Sequence, residues 1–200
     1  MRQVGKIVGH AIPLNRANVD TDQIIPAKHL KRIERTGYGP FAFESWREDP
    51  DFVLNDPAYD GAKLLISRHN FGSGSSREHA VWAIEGLGVE ALIAPSFADI
   101  FKNNCLKVGL LTIVLPEEDV DYLMARSEEL PESQIEIDLA SQTVRTNDGA
   151  WQRTFEISEF GKHRLLDGLD DIGLTMQQEE SIAAFEEQRS ELLPTTSAAD

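Results

Sequence analysis

The chain has one cysteine in 200 residues, and its positive charge is sparse: 19 Lys and Arg stand against 34 Asp and Glu, a formal net charge of −15. A single cysteine excludes a disulfide framework and any zinc site built on two or more thiolates, and it cannot hold an iron–sulfur cluster alone. No run of about 18 apolar residues is present, so no helical membrane span is expected. The opening segment MRQVGKIVGHAIPL has neither the sustained apolar run nor the small-residue cleavage site of a signal peptide. A cytoplasmic location is therefore expected. The acidity argues against nucleic acid as a partner. No H-E-x-x-H occurs among the five histidines, so no metal site is expected in this chain.

What is present is unevenly placed. Met1 to Leu115 carries 13 acidic and 13 basic side chains; the remainder carries 34 − 13 = 21 acidic and 19 − 13 = 6 basic, so the whole excess lies after Leu115. An anionic ligand is expected in the first part, away from that field.

The apolar pattern predicts an α/β protein. Lys6 to Leu14 alternates loosely and reads as one short strand, while Ala27 to Glu34 allows a turn or two of helix. Two glycines and a proline in Thr36-Gly37-Tyr38-Gly39-Pro40 require a loop. Leu64-Leu65-Ile66 between polar flanks reads as a buried strand, Ser76 to Leu87 as a helix, and Val89 to Ala94 as a second buried strand. Ser96 to Asn104 reads as a helix, Leu110 to Leu115 as a strand and Pro116 to Arg126 as a helix. Alternating strands and helices with short links imply parallel pairing with right-handed crossovers. Beyond Pro131 the period changes to two: Gln134 to Leu139, Gln142 to Arg145 and Trp151 to Ile157 read as strands, with a hairpin turn at Thr146 to Gly149. Ser158 to Asp167 and Thr175 to Ser190 read as helices, the latter with Met176, Ile182 and Phe185 on a narrow stripe. Residues 1–190 are expected to form one domain and 191–200 a frayed tail.

The segment Asn70-Phe71-Gly72-Ser73-Gly74-Ser75-Ser76-Arg77-Glu78-His79 joins a buried strand to a helix, at the strand end where open α/β sheets bind ligands. Gly72 and Gly74 allow positive φ and close backbone approach. A helix start presents unpaired N–H groups and a positive dipole end, both suited to an anion. Arg77 adds a planar fork for a carboxylate. Two plainer readings stay open here. Ser75 to Glu78 is itself an S-x-x-E capping box, and His79 reads as a packing residue. The segment lacks the lysine of a nucleotide phosphate loop and the third glycine of a dinucleotide fingerprint. Lys28 to Arg35 is a second cationic cluster, readable either as a solvated face or as a receiver for a dicarboxylate. Cys105 reads as a small buried side chain, and Trp46, Trp82 and Trp151 as core or interface aromatics.

NFGSGSSREHA, with NVDTDQIIPA upstream and APSFADIFKNNCLKVGLL downstream, closely resembles the 3-isopropylmalate dehydratase small-subunit family of the aconitase superfamily. Val19–Ala27, Arg35–Gly39, Asn55–Pro57, Asn70–Ala80 and Ala94–Phe101 match in order over roughly residues 1–190. Ser73 stands where many relatives carry cysteine, and Thr112 replaces a frequent proline. The resemblance implies a swivelling β/β/α domain with a mostly parallel central sheet, an added β-hairpin region and C-terminal helices. It implies interconversion of 2- and 3-isopropylmalate through 2-isopropylmaleate in leucine biosynthesis. By the same resemblance Ser75 is the base, and Asp22 supports acid–base work. Ser76 and Arg77 hold substrate, Arg35 and Thr36 contribute to substrate choice, and Arg32 is a weaker candidate. A [4Fe–4S] cluster is implied on a separate large subunit, the partner with which this chain forms a hetero-oligomer on a small dicarboxylate; alone, the chain is expected to be inactive and iron-free. A small subunit for homoaconitase, for citraconate/citramalate or for dimethylmalate dehydratase, and a non-catalytic anion-binding module, remain as alternatives.

Overall fold

The computed structural model describes residues 1–188; the expected tail at 191–200 lies outside the described residues. Among the described residues, eight strands divide into two four-stranded sheets. The chain opens with β1 (Lys6–Gly9) and β2 (Ala11–Leu14), passes through helix α1 (Thr21–Ile24) and several 3₁₀ turns, and then forms β3 (Leu64–Ser67). Helix α2 (Glu78–Gly86), β4 (Ala91–Ala94), α3 (Asp99–Val108), β5 (Leu111–Val114) and α4 (Glu117–Glu129) follow. β6 (Ile135–Asp138), β7 (Thr143–Thr146) and β8 (Gln152–Thr154) precede three C-terminal helices, α5 (Glu159–Asp167), α6 (Asp171–Met176) and α7 (Glu179–Glu187).

The expected strand–helix alternation is present: β2, β3, β4 and β5 pair in parallel in that order, with Leu65 opposite Ile12 and Leu92. Every residue of β2, β3 and β4 is buried, as a parallel sheet covered on both faces requires. Ile12, Leu65 and Leu92 face α2 and α3, packing with Ile84, Phe101 and Cys105. Leu64, Ile66 and Ile93 face the other way, onto Val120 and Leu123 of α4 and onto Ile137 and Val144 of the second sheet.

Lys6 to Leu14 is not one strand. β1 pairs antiparallel with β6 while β2 pairs parallel with β3, so the chain changes sheets at His10. Burial explains the division: β1 alternates exposed and buried, whereas β2 is buried throughout. Pro13 fits β2 because that strand is the sheet edge. The expected hairpin is there, β7 on β8, as part of the order β1-β6-β7-β8. The helix expected over Thr175 to Ser190 is two pieces, α6 and α7, with Ser190 outside the described residues. Asp170 starts α6 early by accepting the Gly173 N–H at 2.8 Å. The Met176, Ile182 and Phe185 stripe stays exposed, with no surface of the described residues to pack on. No helix among the described residues is long and apolar enough to cross a membrane.

Candidate active site

Parallel pairing brings the carboxyl ends of β2, β3 and β4 to one edge, so the loops leaving them meet there. Backbone hydrogen bonds stitch these loops together. Gly72 and Ser73 donate to Val19 O at 2.8 and 3.1 Å, and Thr21 donates to Ser73 O at 2.9 Å. Phe71 donates to Ser96 O at 3.1 Å and receives the Ala98 N–H at 2.9 Å. Asn70, Gly72 and Gly74 all have positive φ, at 59°, 77° and 87°. At Gly72 space also demands glycine: a Cβ there would stand 2.1 Å from Cγ of Phe101.

The chain then enters α2, and the expected Ser75–Glu78 capping box does not form. The N-cap is Arg77, extended at φ −131°, and no side chain caps the helix. Ser75 lies two residues before that N-cap, and its carbonyl accepts the Thr21 hydroxyl at 2.9 Å. The box forms instead at Asp20: its carboxylate accepts the Gln23 N–H at 2.8 Å and its own N–H donates to Gln23 Oε1 at 2.9 Å. The D-x-x-Q spacing there was a readable signal for α1 within a segment that otherwise looks like turn. Helix α3 likewise starts without a side-chain cap, at Ala98, and its last turn ends near Gly109 rather than Asn104.

These two uncapped helix starts border one cavity of about 250 Å³, lined by Gly74, Ser75, Ser76, Arg77, Ile100 and Asn104 among others. Helix N–H groups without side-chain caps are anion-seeking. Ser75 and Ser76 are exposed and line it. Arg77, only 16% exposed in its side chain, pairs with the Asp22 carboxylate, which is joined to the cavity through that pair and is not part of its lining. The arrangement offers two hydroxyls, amide donors, a guanidinium and a carboxylate around a space the size of a small diacid.

Four of the expected site residues, Ser75, Ser76, Arg77 and Asp22, thus come together; three do not join them. Arg35 lines a separate cavity of about 190 Å³ with Glu78, Trp82, Asn104 and Lys107. Thr36 is exposed. The Arg32 guanidinium lies 5.4 Å from the Tyr38 ring centroid and 4.9 Å from that of Phe41. Asn104, buried and polar, borders both cavities. Sequence reasoning passed over it because nothing local distinguishes it from Asn103.

Cys105 is fully buried in α3, and burial pushes its thiol well above the usual range. Burial pulls the His79 imidazole below its ordinary value, with Glu78 opposing and Arg77 adding to that shift.

Comparison with known proteins agrees with this architecture. The Aconitase C-terminal domain pattern matches residues 1–118, and the pattern for the C-terminal domain of the 3-isopropylmalate dehydratase small subunit matches residues 171–199. A 3-isopropylmalate dehydratase small subunit from Rubrobacter xylanophilus is 56% identical, over 97% of this chain and 98% of that protein. One from Parafrankia is 52% identical over 94% and 95%, and one from Neisseria meningitidis 51% identical over 97% and 98%. The crystal structure of a 3-isopropylmalate dehydratase (leuD) from Methanocaldococcus jannaschii superposes with a TM-score of 0.65 at 26% identity, covering 90% of this chain and 98% of that one. With half its sequence shared across nearly its whole length, the chain belongs to the 3-isopropylmalate dehydratase small-subunit family, in the aconitase superfamily.

Proposed function

We propose that the chain is the small subunit of a hydro-lyase that interconverts 3-isopropylmalate and 2-isopropylmalate through 2-isopropylmaleate, and that residues 1–190 act as one swivelling domain over a large subunit. Ser75 removes the proton from the carbon next to the hydroxyl-bearing one. The C–H electron pair becomes the C=C bond, the C–O bond breaks, and the hydroxyl takes up a proton and leaves as water. Rehydration runs the same steps backward with the oxygen returned to the neighbouring carbon.

A serine hydroxyl is too weak an acid to serve as a base unaided, so its alkoxide needs stabilising donors. The amides at the start of α2 and the Arg77 guanidinium are the groups at hand. Ser76 and Arg77 hold a substrate carboxylate, and Asp22, paired to Arg77, supports the acid–base work. Arg35 and Thr36 meet the substrate's side group from the neighbouring loop, with Arg32 a lesser contributor. The chain's own residues do not fit an iron–sulfur cluster. Its one thiol is buried and held protonated, and no three Cys, His, Asp or Glu among the described residues are grouped to hold a metal. The cluster, the superfamily's Lewis acid, is therefore assigned to the large subunit.

The observation that carries this reading is Ser75, an exposed residue lining a cavity shared by two uncapped helix starts and free of capping duty. In the complex with the large subunit, Ser75→Ala lowers kcat by about 10²–10⁴-fold with an unchanged melting temperature. Wild-type turnover by that variant overturns the assignment.

A further inference from the structure

The loop bearing Arg32, Arg35 and Thr36 is free at its tip and fastened at both ends. Ile33 at the tip is 94% exposed. At the entering end His29 stacks on Phe41 with ring centroids 4.2 Å apart, and its Nε2 lies 2.7 Å from Glu44, which also pairs with Lys28 at 2.8 Å. At the leaving end Tyr38 is fully buried. Its ring meets His79 edge-on at 5.5 Å and lies 5.8 Å from Trp82, and those two rings are 4.7 Å apart. The next residue presses backbone on backbone. A Cβ on Gly39 would stand 2.2 Å from Gly86 O, and one on Gly86 would stand 2.5 Å from Gly39 N. His79, Trp82 and Gly86 all belong to α2, whose first turn follows directly on Ser75, Ser76 and Arg77. One helix therefore carries the serine–arginine turn at its start and seats the second loop along its side.

We propose that His79, backed by Trp82, is a positioning residue for substrate choice: its ring seats Tyr38 and so fixes the distance between residues 32–37 and the Ser75–Arg77 turn. This rests on the functional reading above, in which that turn grips the diacid and the loop meets its side group. His79 does not line the Ser75 cavity, so it acts through Tyr38 and not on substrate. A wall that can shift discriminates poorly between substituents differing by a methyl or two, because each such group contributes only modestly to binding. A seat made of packed rings and a glycine–glycine contact holds that wall still.

The test is steady-state kinetics of the complex with its large subunit on 3-isopropylmalate and on the smaller 3-methylmalate. In His79→Ala the KM for 3-isopropylmalate rises about tenfold relative to that for 3-methylmalate, while kcat on 3-methylmalate is retained. His79→Phe, which keeps a ring against Tyr38, restores the wild-type ratio. Gly86→Ala, which pushes Gly39 away without touching His79, shifts the ratio in the same direction. An active complex whose KM ratio is unmoved in His79→Ala overturns the positioning role alone, as does equal loss on both substrates that Phe does not rescue. A wild-type complex inactive on 3-isopropylmalate overturns the functional reading and this inference together.

Discussion

Two loops ride on helix α2, and they are held by different means. Residues 70–77 are shaped by the backbone: three left-handed residues and a set of backbone hydrogen bonds with Val19, Thr21, Ser96 and Ala98 leave the segment one path. Residues 32–37 make no comparable ladder and are pinned only at their ends, by stacked rings, an ion pair and a glycine–glycine contact. The first kind of restraint suits chemistry, where a hydroxyl must stay in line with a proton. The second suits selection, where side chains at a tip can be exchanged without rebuilding the turn beneath. On that distinction, substitutions at the left-handed glycines of the first loop damage shape, whereas substitutions in the second change affinity alone.

The largest effect expected of that difference is at Gly72. Gly72→Ala places a Cβ inside the Phe101 ring position in a left-handed backbone, where Phe101 is buried in the first turn of α3. It should destabilise the fold by about 2–3 kcal/mol and also cost activity, since α3 borders the cavity. Gly74→Ala is the control: its nearest new neighbour is Asp20 Cβ at 3.5 Å, so only the backbone penalty remains. That penalty is about 1 kcal/mol. Urea unfolding of the two variants separates them; equal losses would mean that the Phe101 contact does not select glycine at residue 72. In the other loop, Arg35→Ala should raise KM about tenfold, as loss of a charge-assisted contact does, with no change in melting temperature, because Arg35 is exposed and lines only a surface cavity. An unchanged KM would remove Arg35 from substrate contact.

The same contrast explains what was legible in the sequence. The glycine loop and its flanking strand and helix could be read because each is a local signal: an apolar run, two glycines, a helical spacing. Ser75's freedom from capping could not be read, because S-x-x-E satisfies the local rule. The helix instead starts at Arg77, and the turn before it is tied by the Thr21 hydroxyl on the Ser75 carbonyl, 54 residues away in sequence. The break at His10 was hidden for a similar reason. Lys6 to Leu14 is one continuous apolar pattern, and only its partners, β6 late in the chain and β3 in the middle, pull it into two sheets. Arg35 and Thr36 were grouped with Ser75 on resemblance, yet Arg35 lines a separate cavity with Glu78 and Lys107, and Thr36 is exposed. No spacing rule carries that information.

The smallest effect expected is also the most direct probe of how the second loop is fastened. Burial lowers the His79 pKa from an ordinary value near 6.5, so the unfolded chain takes up a proton before the folded one as pH falls. Stability from this residue is therefore complete above the unfolded value and is lost as pH drops from there through the folded value. His79→Phe cannot be protonated and should escape that loss. Melting temperatures of the two proteins, compared between about pH 7.5 and about pH 5.5, should fall further for the wild type. Glu44, held below its usual range first by Lys28 and then by His29, is the same in both proteins and cancels from the difference. Parallel melting curves would mean that the His79 ring is solvated, and that Tyr38 is seated by Trp82 and the Gly39–Gly86 contact without it.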